Sequence, residues 1–467
     1  MEGLEVSILP LSEVKKDNRD LRLDSRYFSR AALAADALVA ARTPQPISQL
    51  ASDVRSFGAY ALTNEFEYQD EGVPFLRGTN YVGDFINFTD VLRISPEAHG
   101  LLHKSEVLPG MVLLSMSGSV GSVAVALDSW EYPINSNQDI AKIVPSGVDP
   151  FYLASYLSSS FGEAQIERLP VGSVQQHIFL WMIERIQVPR LGSTLEAAIA
   201  HRAKLAFDTN EDVSRHFAAA SDALLSAVGL KDWRPPEPLS YSASASAVLS
   251  AQRMDARFFA PRVTALLDVL SKDGVSVRDV ASPRREKFRP GQHATFSYIE
   301  IGDVDGAGAV GSSVLPSQEA PSRATWYVRT NDVVTSTVRP IRRLSAQIDA
   351  NQNGYVCSSG FVVAQPMAVA PEVLLTYLRL PVICELLDLY ASASMYPAIT
   401  EDDIFDLPMP RLEPAIEARI VASVQAGKQA RARATQLLKQ AKRAVELAIE
   451  EDERAALAFL GSPREQV

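Results

Sequence analysis

Apolar positions along this chain fall into two kinds of run. The first kind is short and alternating. VPFLRGTNYV, MVLLSMSGSVGSVAVAL and DIAKIVP in the N-terminal half, and FSYIEIGDV, DVVTSTV and GFVVAQP in the C-terminal half, are β-branched segments broken by Gly, Pro, Asn and Ser. They predict the strands of two compact β-rich domains. Short helical runs precede them (31–41; 262–271) and further helices follow (150–160; 372–389). The second kind of run is long. Residues 193–228 contain neither Pro nor Gly, open on Ser193-Thr194-Leu195-Glu196 and stop at Gly229. The opening is a capping-box pattern, so the stretch predicts one helix, about 50 Å long at 1.5 Å per residue. Residues 414–460 repeat the design, with Pro414 in the first turn, apolar Ile416, Ile420, Val424, Leu437, Leu438, Val445 and Ile449, and Gly461 as the stop. An isolated long helix buries nothing, so the two are expected to pack as an antiparallel coiled coil rather than stand as solvated tails.

The two halves repeat each other. RLDSRYF at 22–28 returns as RMDARFF at 253–259, an offset of 231. Residues 152–191 align without a gap on 373–412: Leu153 meets Leu374, Tyr156 meets Tyr377, Ser173 meets Ser394, Ile178 meets Ile399, Ile183 meets Ile404, and Pro189-Arg190-Leu191 meets Pro410-Arg411-Leu412, all at an offset of 221. A period of this length lies far beyond that of solenoid repeats, so each copy should be a domain. Between the copies, KDWRPPEPLSYSASASA at 231–247 has a linker's composition. The expected organisation is α+β: a first β-rich domain over 1–191, a helix over 192–230, the linker 231–247, a second β-rich domain over 248–412, and a second helix with a tail over 413–467.

With 47% hydrophobic and 22% charged residues in 467, the chain is a folded protein rather than a disordered one. No apolar run is long enough to span a membrane and no leader pattern opens the sequence, so a cytoplasmic protein without a membrane partner is expected. Cys357 and Cys384 are the two cysteines, and without accompanying His ligands they read as buried thiols rather than a disulfide or zinc site. The net charge of −11 does not exclude nucleic acid, because binding follows local patches within about a Debye length.

Catalytic patterns are incomplete throughout. GAGAVG at 306–311 fits a dinucleotide turn, but Pro316 and Pro321 follow where that motif needs a helix. Gly118-Ser119-Val120-Gly121 lacks the glycine two positions before the serine that a nucleophile elbow requires, which leaves a hydrolase using Ser119 as a remote alternative. No phosphate-binding loop and no H-E-x-x-H occur; Glu13-Val14-Lys15 has no room for an upstream acid, and no N-P-P-aromatic segment is present for methylating a base. The chain is therefore expected to be non-catalytic, with no metal or cofactor of its own.

Hydrogen-bonding and basic loops offer more. In the first copy Arg77 to Asn80, Ser115 to Ser119 (with Ser117), and Asn135 to Asp139 (with Asn137 and Gln138) are polar turns next to strands. In the second, 278–293 carries Arg284, Arg285 and Lys287, and 339–343 carries Arg339, Arg342 and Arg343. Arg can bond guanine O6 and N7, Asn and Gln can bond adenine N6 and N7, and Ser can meet phosphate. The candidate DNA contacts are accordingly Arg77, Asn80, Ser117, Ser119, Asn137 and Gln138 in the first domain, and Arg284, Arg285, Lys287, Arg339, Arg342 and Arg343 in the second. Two such domains held by antiparallel helices would read separated half-sites, with helix length setting the spacing.

Taken in order and twice over, these features resemble the specificity subunit of type I restriction-modification systems. The resemblance rests on the repeated R-[LM]-D-[SA]-R-[YF]-F string, PGMVLLSMSGSVG, Asn135 to Asp139, TSTVRP at 335–340, the IQVPRL and LPMPRL exits, and the long helix behind each. It implies two target recognition domains binding a bipartite double-stranded DNA site, with helices that dock two methyltransferase subunits. S-adenosylmethionine, ATP and Mg would then belong to those partners and to a restriction/translocase subunit. One departure stands out: Thr337-Val338-Arg339-Pro340-Ile341 occupies the place of Ser117-Gly118-Ser119-Val120-Gly121, so the small turn of one domain cannot simply be transferred to the other. Rival readings are a DNA-recognition module serving a different effector, and a scaffold whose domains bind proteins.

Overall fold

The computed structural model describes residues 8–15, 22–25, 27–57, 66–89, 91–171, 176–272, 274–305, 308–391 and 397–461. Contacts divide the chain into two compact units, Met1–Glu211 with Ala430–Val467, and Asp212–Gln429. The division passes through both long helices, Ser193–Ala227 and Pro414–Glu450, so each unit holds one β-rich head and a segment of each helix.

The first unit contains two four-stranded sheets. One runs in the order Ala51–Arg55, Ile140–Pro145, Val112–Ser115, Val123–Val125, antiparallel throughout. All four residues of Val112–Ser115 are buried, which is why that string reads as a continuous apolar run instead of alternating. The other sheet runs Leu92–Ile94, Val73–Leu76, Ile134–Ser136, Glu106–Val107, with Val73–Leu76 and Ile134–Ser136 parallel. A short ladder joins Gln45–Pro46 to Gln187–Val188 and ties the start of the head to its exit.

In the second unit the same topology returns. One sheet is ordered Ala281–Pro283, Phe361–Pro366, Val333–Ser336, Ser345–Gln347; the other is ordered Ser313–Pro316, Thr295–Ile299, Val356–Ser358, Ala324–Tyr327, again with one parallel pair, Thr295–Ile299 with Val356–Ser358. The exit ladder pairs Val275–Ser276 with Pro408–Met409. Identical strand orders, including the parallel pair, establish an α+β chain built from a duplicated domain.

Both repeated tyrosines do the same work. Tyr156 and Tyr377 are fully buried, and each phenol donates at 2.6 Å to a carbonyl of its exit ladder, that of Gln187 or of Pro408. Burial raises both phenols above their ordinary pKa. The repeated opening strings also fold alike: Arg22 and Arg253 each donate Nε–H to the next-but-one aspartate, Asp24 or Asp255, at 2.8 Å, and each aspartate accepts the backbone N–H of Tyr27 or Phe258 at 3.0 Å. The arginine hydrogen bond holds each carboxyl below the usual range. Arg26, Ser173, Ser394 and the Gly306-Ala307 start of GAGAVG lie outside the described residues.

In the first unit the helix segments pack antiparallel, and in the second they share a core. In the first, Gly192 N–H, just before the start of one long helix, donates to Glu453, just past the end of the other, at 2.8 Å, while Arg202 further along the first donates to Gln440 at 2.5 Å, so numbers rise on one helix as they fall on the other. Leu195, Ile199, Ala203, Leu438, Ala441 and Val445 share one core with Val112, Val123 and Tyr156 of the head. In the second unit Ala220, Leu224, Ile420 and Val424 share a core with Val373 and Tyr377. Gly427 lies under Phe217 there: a Cβ at that position would stand 3.0 Å from the ring. A mid-helix glycine costs about 1 kcal/mol relative to alanine, and here it admits the ring.

Four expectations from the pattern are corrected. The helix over 150–160 is two helices, Pro150–Leu157 and Ser160–Glu167, with Ser159 capping the second through the Gly162 N–H. The helix over 372–389 also divides, into Pro371–Leu378 and Pro381–Tyr390, because Pro381 cannot donate to the preceding turn. The helix over 414–460 stops at Glu450; a new one, Glu453–Gly461, starts where the Asp452 carboxylate accepts the Ala455 N–H at 2.8 Å. The capping box at Ser193 does not form, since Glu196 instead accepts the Leu191 N–H and the Arg190 guanidinium.

Candidate nucleic-acid interface

In the first head three polar turns meet where the strands end. Val73–Leu76 leads into Arg77 and a tight turn over Gly78–Asn80; Val112–Ser115 leads into Ser117 and Ser119; Ile134–Ser136 leads into Asn137 and Gln138. Asn137 N–H donates to the Leu76 carbonyl at 2.8 Å and Met116 N–H to the Asp139 carbonyl at 2.7 Å, which stitches the turns together. A Cβ on Gly78 would lie 3.8 Å from the Ser117 carbonyl. The six candidates of this head thus belong to one cluster, but they do different things within it.

Asn80 is buried and shapes its turn: Oδ1 accepts the Arg77 N–H at 2.9 Å, and Nδ2 donates to the Asn87 carbonyl at 3.2 Å. Ser117 is buried beneath the surface, its carbonyl accepting from the Ser115 hydroxyl at 3.0 Å. Asn137 is half-buried and engaged with Asp139. Ser119 is exposed and Gln138 half-exposed. The Arg77 Nε is buried without a hydrogen-bond partner, a cationic donor held at the cluster. Among the six, that leaves Arg77, Ser119, Gln138 and the second amide N–H of Asn137 with unspent hydrogen-bonding capacity.

The second head builds the same frame from other side chains. Glu300 and Asp303 stand where the first head has Arg77 and Asn80, and Glu300 N–H donates to Asp303 at 2.7 Å as Arg77 does to Asn80. Thr337 N–H donates to the Gly360 carbonyl at 2.8 Å, matching Met116 and Asp139. Ser336 Oγ donates to the Val338 carbonyl at 3.1 Å, matching Ser115 and Ser117. The turn therefore carries over between heads, with one residue more in the second. Gly118 (φ +71°) and Gly121 (φ +93°) give way to Arg339 (φ +51°) and Arg343 (φ +58°), which keep the left-handed backbone without being glycine. Such conformations are costly for residues with a Cβ and persist where the surroundings enforce them.

Of the basic candidates here, Arg284 is committed to a fork-to-fork pair with buried Asp332, at 2.5 and 2.7 Å. Arg343 donates Nε–H to the Arg379 carbonyl at 3.0 Å and so anchors the turn. Arg285 pairs with Glu401 while remaining 61% exposed, and exposed Lys287 stands over the Trp326 ring, 5.7 Å from its centroid. Arg339 and Arg342 are exposed on the turn itself. The segment Pro397–Glu401 links the two basic stretches, since Arg339 N–H donates to the Pro397 carbonyl, Ile399 N–H to the Thr337 carbonyl, and Arg285 to Glu401.

Over 90% of this chain and 95% of the other, the fold compares with the type I restriction-modification S subunit from M. genitalium, at a TM-score of 0.37 and 12% identity. An HsdS subunit from Thermoanaerobacter tengcongensis compares over 88% of this chain and 96% of its own, at 0.29 and 13%. A chain from a study of type I R-M complex assembly and conformational transition compares over 88% and 97%, at 0.28 and 14%. No family model and no curated protein matches the chain.

Beneath the first cluster sits a group that sequence pattern alone did not single out. Lys142 is fully buried on the central strand, donating to the Ser136 hydroxyl at 2.7 Å, and among the described residues it forms no ion pair with a carboxylate. Desolvation, reinforced by the Arg55 charge, pushes its amine down to about 7. Arg55 faces it across the ladder with its own Nε buried and unpartnered. Its equivalent in the second copy is Val363, so internal alignment carried the signal as a lysine against a valine. Among the described residues no helix is long and apolar enough to cross a membrane.

Proposed function

We propose that this chain is the DNA-specificity subunit of a type I restriction-modification complex, each head reading one half of a bipartite duplex site. One observation carries the reading: the same three-turn frame occurs in both heads with its tip chemistry exchanged, Arg77 for Glu300 and two glycines for two arginines. A frame kept constant while its tips vary is what reading two different half-sites requires, since backbone contacts position a protein and side chains at base edges specify.

Within that reading, Arg77, Ser119, Asn137 and Gln138 contact the first half-site, and Arg285, Lys287, Arg339 and Arg342 the second. Asn80, Ser117, Arg284 and Arg343 hold the turns that present them. The helical pair docks two methyltransferase subunits, which bring S-adenosylmethionine, and a restriction/translocase subunit supplies the ATP- and Mg-dependent work. This chain reads sequence and does no chemistry of its own.

Binding of the full-length chain to duplex DNA over a salt series tests the assignment. Affinity should fall linearly on a log–log plot, with a slope of about −0.9 for each phosphate neutralised. A flat response, or equal binding to all sequences, contradicts it and favours a protein-binding scaffold.

A further inference from the structure

The turn Pro340–Arg342 carries an apolar group where an ordinary solvated turn would carry a polar one. Pro340 is buried, Ile341 is 48% exposed and Arg342 is exposed. At the matching place in the first head, Val120 packs against the core. Ile341 has no such freedom to turn inward, because the loop around it is pinned on both sides. Arg339 N–H donates to the Pro397 carbonyl at 2.9 Å, Arg343 Nε–H donates to the Arg379 carbonyl at 3.0 Å, and Arg379 Nη1 returns bonds to the carbonyls of Arg343 (3.2 Å) and Ser345 (2.9 Å). The left-handed backbone at Arg339 and Arg343 fixes the turn further. An isoleucine is thus held in water on a rigid basic turn, at an entropic and solvation cost that contact with an apolar surface would offset.

On duplex DNA two apolar surfaces are available: the faces of a base step, opened by a wedge, and the 5-methyl of thymine in the major groove. Exposure decides between them. A wedge must project its whole side chain between bases, whereas about half of Ile341 is already covered within the protein. What remains is a shallow apolar patch of the size of a methyl contact. We infer that Ile341 contacts the 5-methyl group of a thymine in the half-site read by the second head, with Arg342 beside it on the same turn. This rests on the DNA-reading function proposed above.

Uracil, which differs from thymine only in lacking that methyl, gives the test. The full-length chain is presented with its selected duplex, each thymine of the second half-site being replaced in turn by uracil. One replacement should weaken wild-type binding about fourfold, the value of one buried methyl group. Ile341→Ala should bind the thymine duplex about as weakly and be indifferent to that replacement, while keeping the wild-type salt slope, which verifies that the variant is folded. The inference is overturned if no replacement affects the wild type, if Ile341→Ala responds as the wild type does, or if the half-site holds no thymine. Failure of the underlying function looks different: the wild type would then select no duplex at all, before any uracil is introduced, and the inference would fall with it.

Discussion

At equivalent positions the first head carries Met111, Arg55 and Lys142, where the second carries Asp332, Arg284 and Val363. The second head buries a cation against a buried carboxylate and places an aliphatic side chain on the central strand. In the first head two basic side chains lie side by side there, and Arg55 pairs with Asp53 at 3.6 Å. Strand order is the same in both, so topology does not dictate how an interior position is filled. The first head spends stability at this position, directly behind the Ser136–Asn137 turn that Lys142 supports through the Ser136 hydroxyl. The second head uses the position for cohesion.

The largest expected effect follows from Lys142. Its folded pKa, about 7, lies below the ordinary 10.5, so between those pH values the unfolded chain binds the proton that the folded chain has released. Stability of the first unit should therefore rise with pH from about 7 to about 10.5, by on the order of 5 kcal/mol in total, with the whole penalty present below 7. Lys142→Met, matched in volume, should abolish the rise and stabilise the unit at neutral pH. Hydrogen exchange of residues 112–145 across that pH range reads both.

Asp332→Asn tests the opposite solution. Removing one partner of a buried pair typically costs 3 to 5 kcal/mol, and about 3 kcal/mol is expected here because the Arg284 side chain keeps 16% of its surface in solvent. Exchange protection should fall in the second unit and stay unchanged in the first. A loss shared by both units would mean that the heads do not hold their cores separately.

A smaller contrast lies at the exit ladders. Tyr377→Phe removes the phenol bond to the Pro408 carbonyl and should cost about 1 to 3 kcal/mol. Tyr156→Phe should cost less, below about 1 kcal/mol, because the Gln165 amide also donates to the Gln187 carbonyl at 2.9 Å. Denaturant unfolding of the two variants orders them, and the reverse order would refute the role given to Gln165.

Much of this was legible in sequence. The alternating strings located the central strands of both heads, and a gapless stretch with Tyr156 over Tyr377 located a shared frame. What escaped was long-range polar pairing. The Arg284–Asp332 partners lie 48 residues apart, and Lys142 looks like any strand lysine until topology places it at the centre of a sheet. Helix breaks at Ser159 and Asp452 escaped too, because serine and aspartate interrupt a helix only when their side chains cap the next one. For the candidate site, residue type pointed to turns that the fold of the first head brings together, but could not distinguish Asn80, consumed in its own turn, from Gln138 in the same cluster. The substitution of Arg339 and Arg343 for glycines was visible as a departure, whereas the unchanged backbone beneath it was not.

Separate reading by two heads is the central claim, and selection of bound duplexes from a random library by full-length variants tests it most directly. Gln138→Ala should relax base preference in one half of the selected site, and Arg342→Ala in the other half, each leaving its opposite half intact. Relaxation of both halves by either substitution would contradict the account.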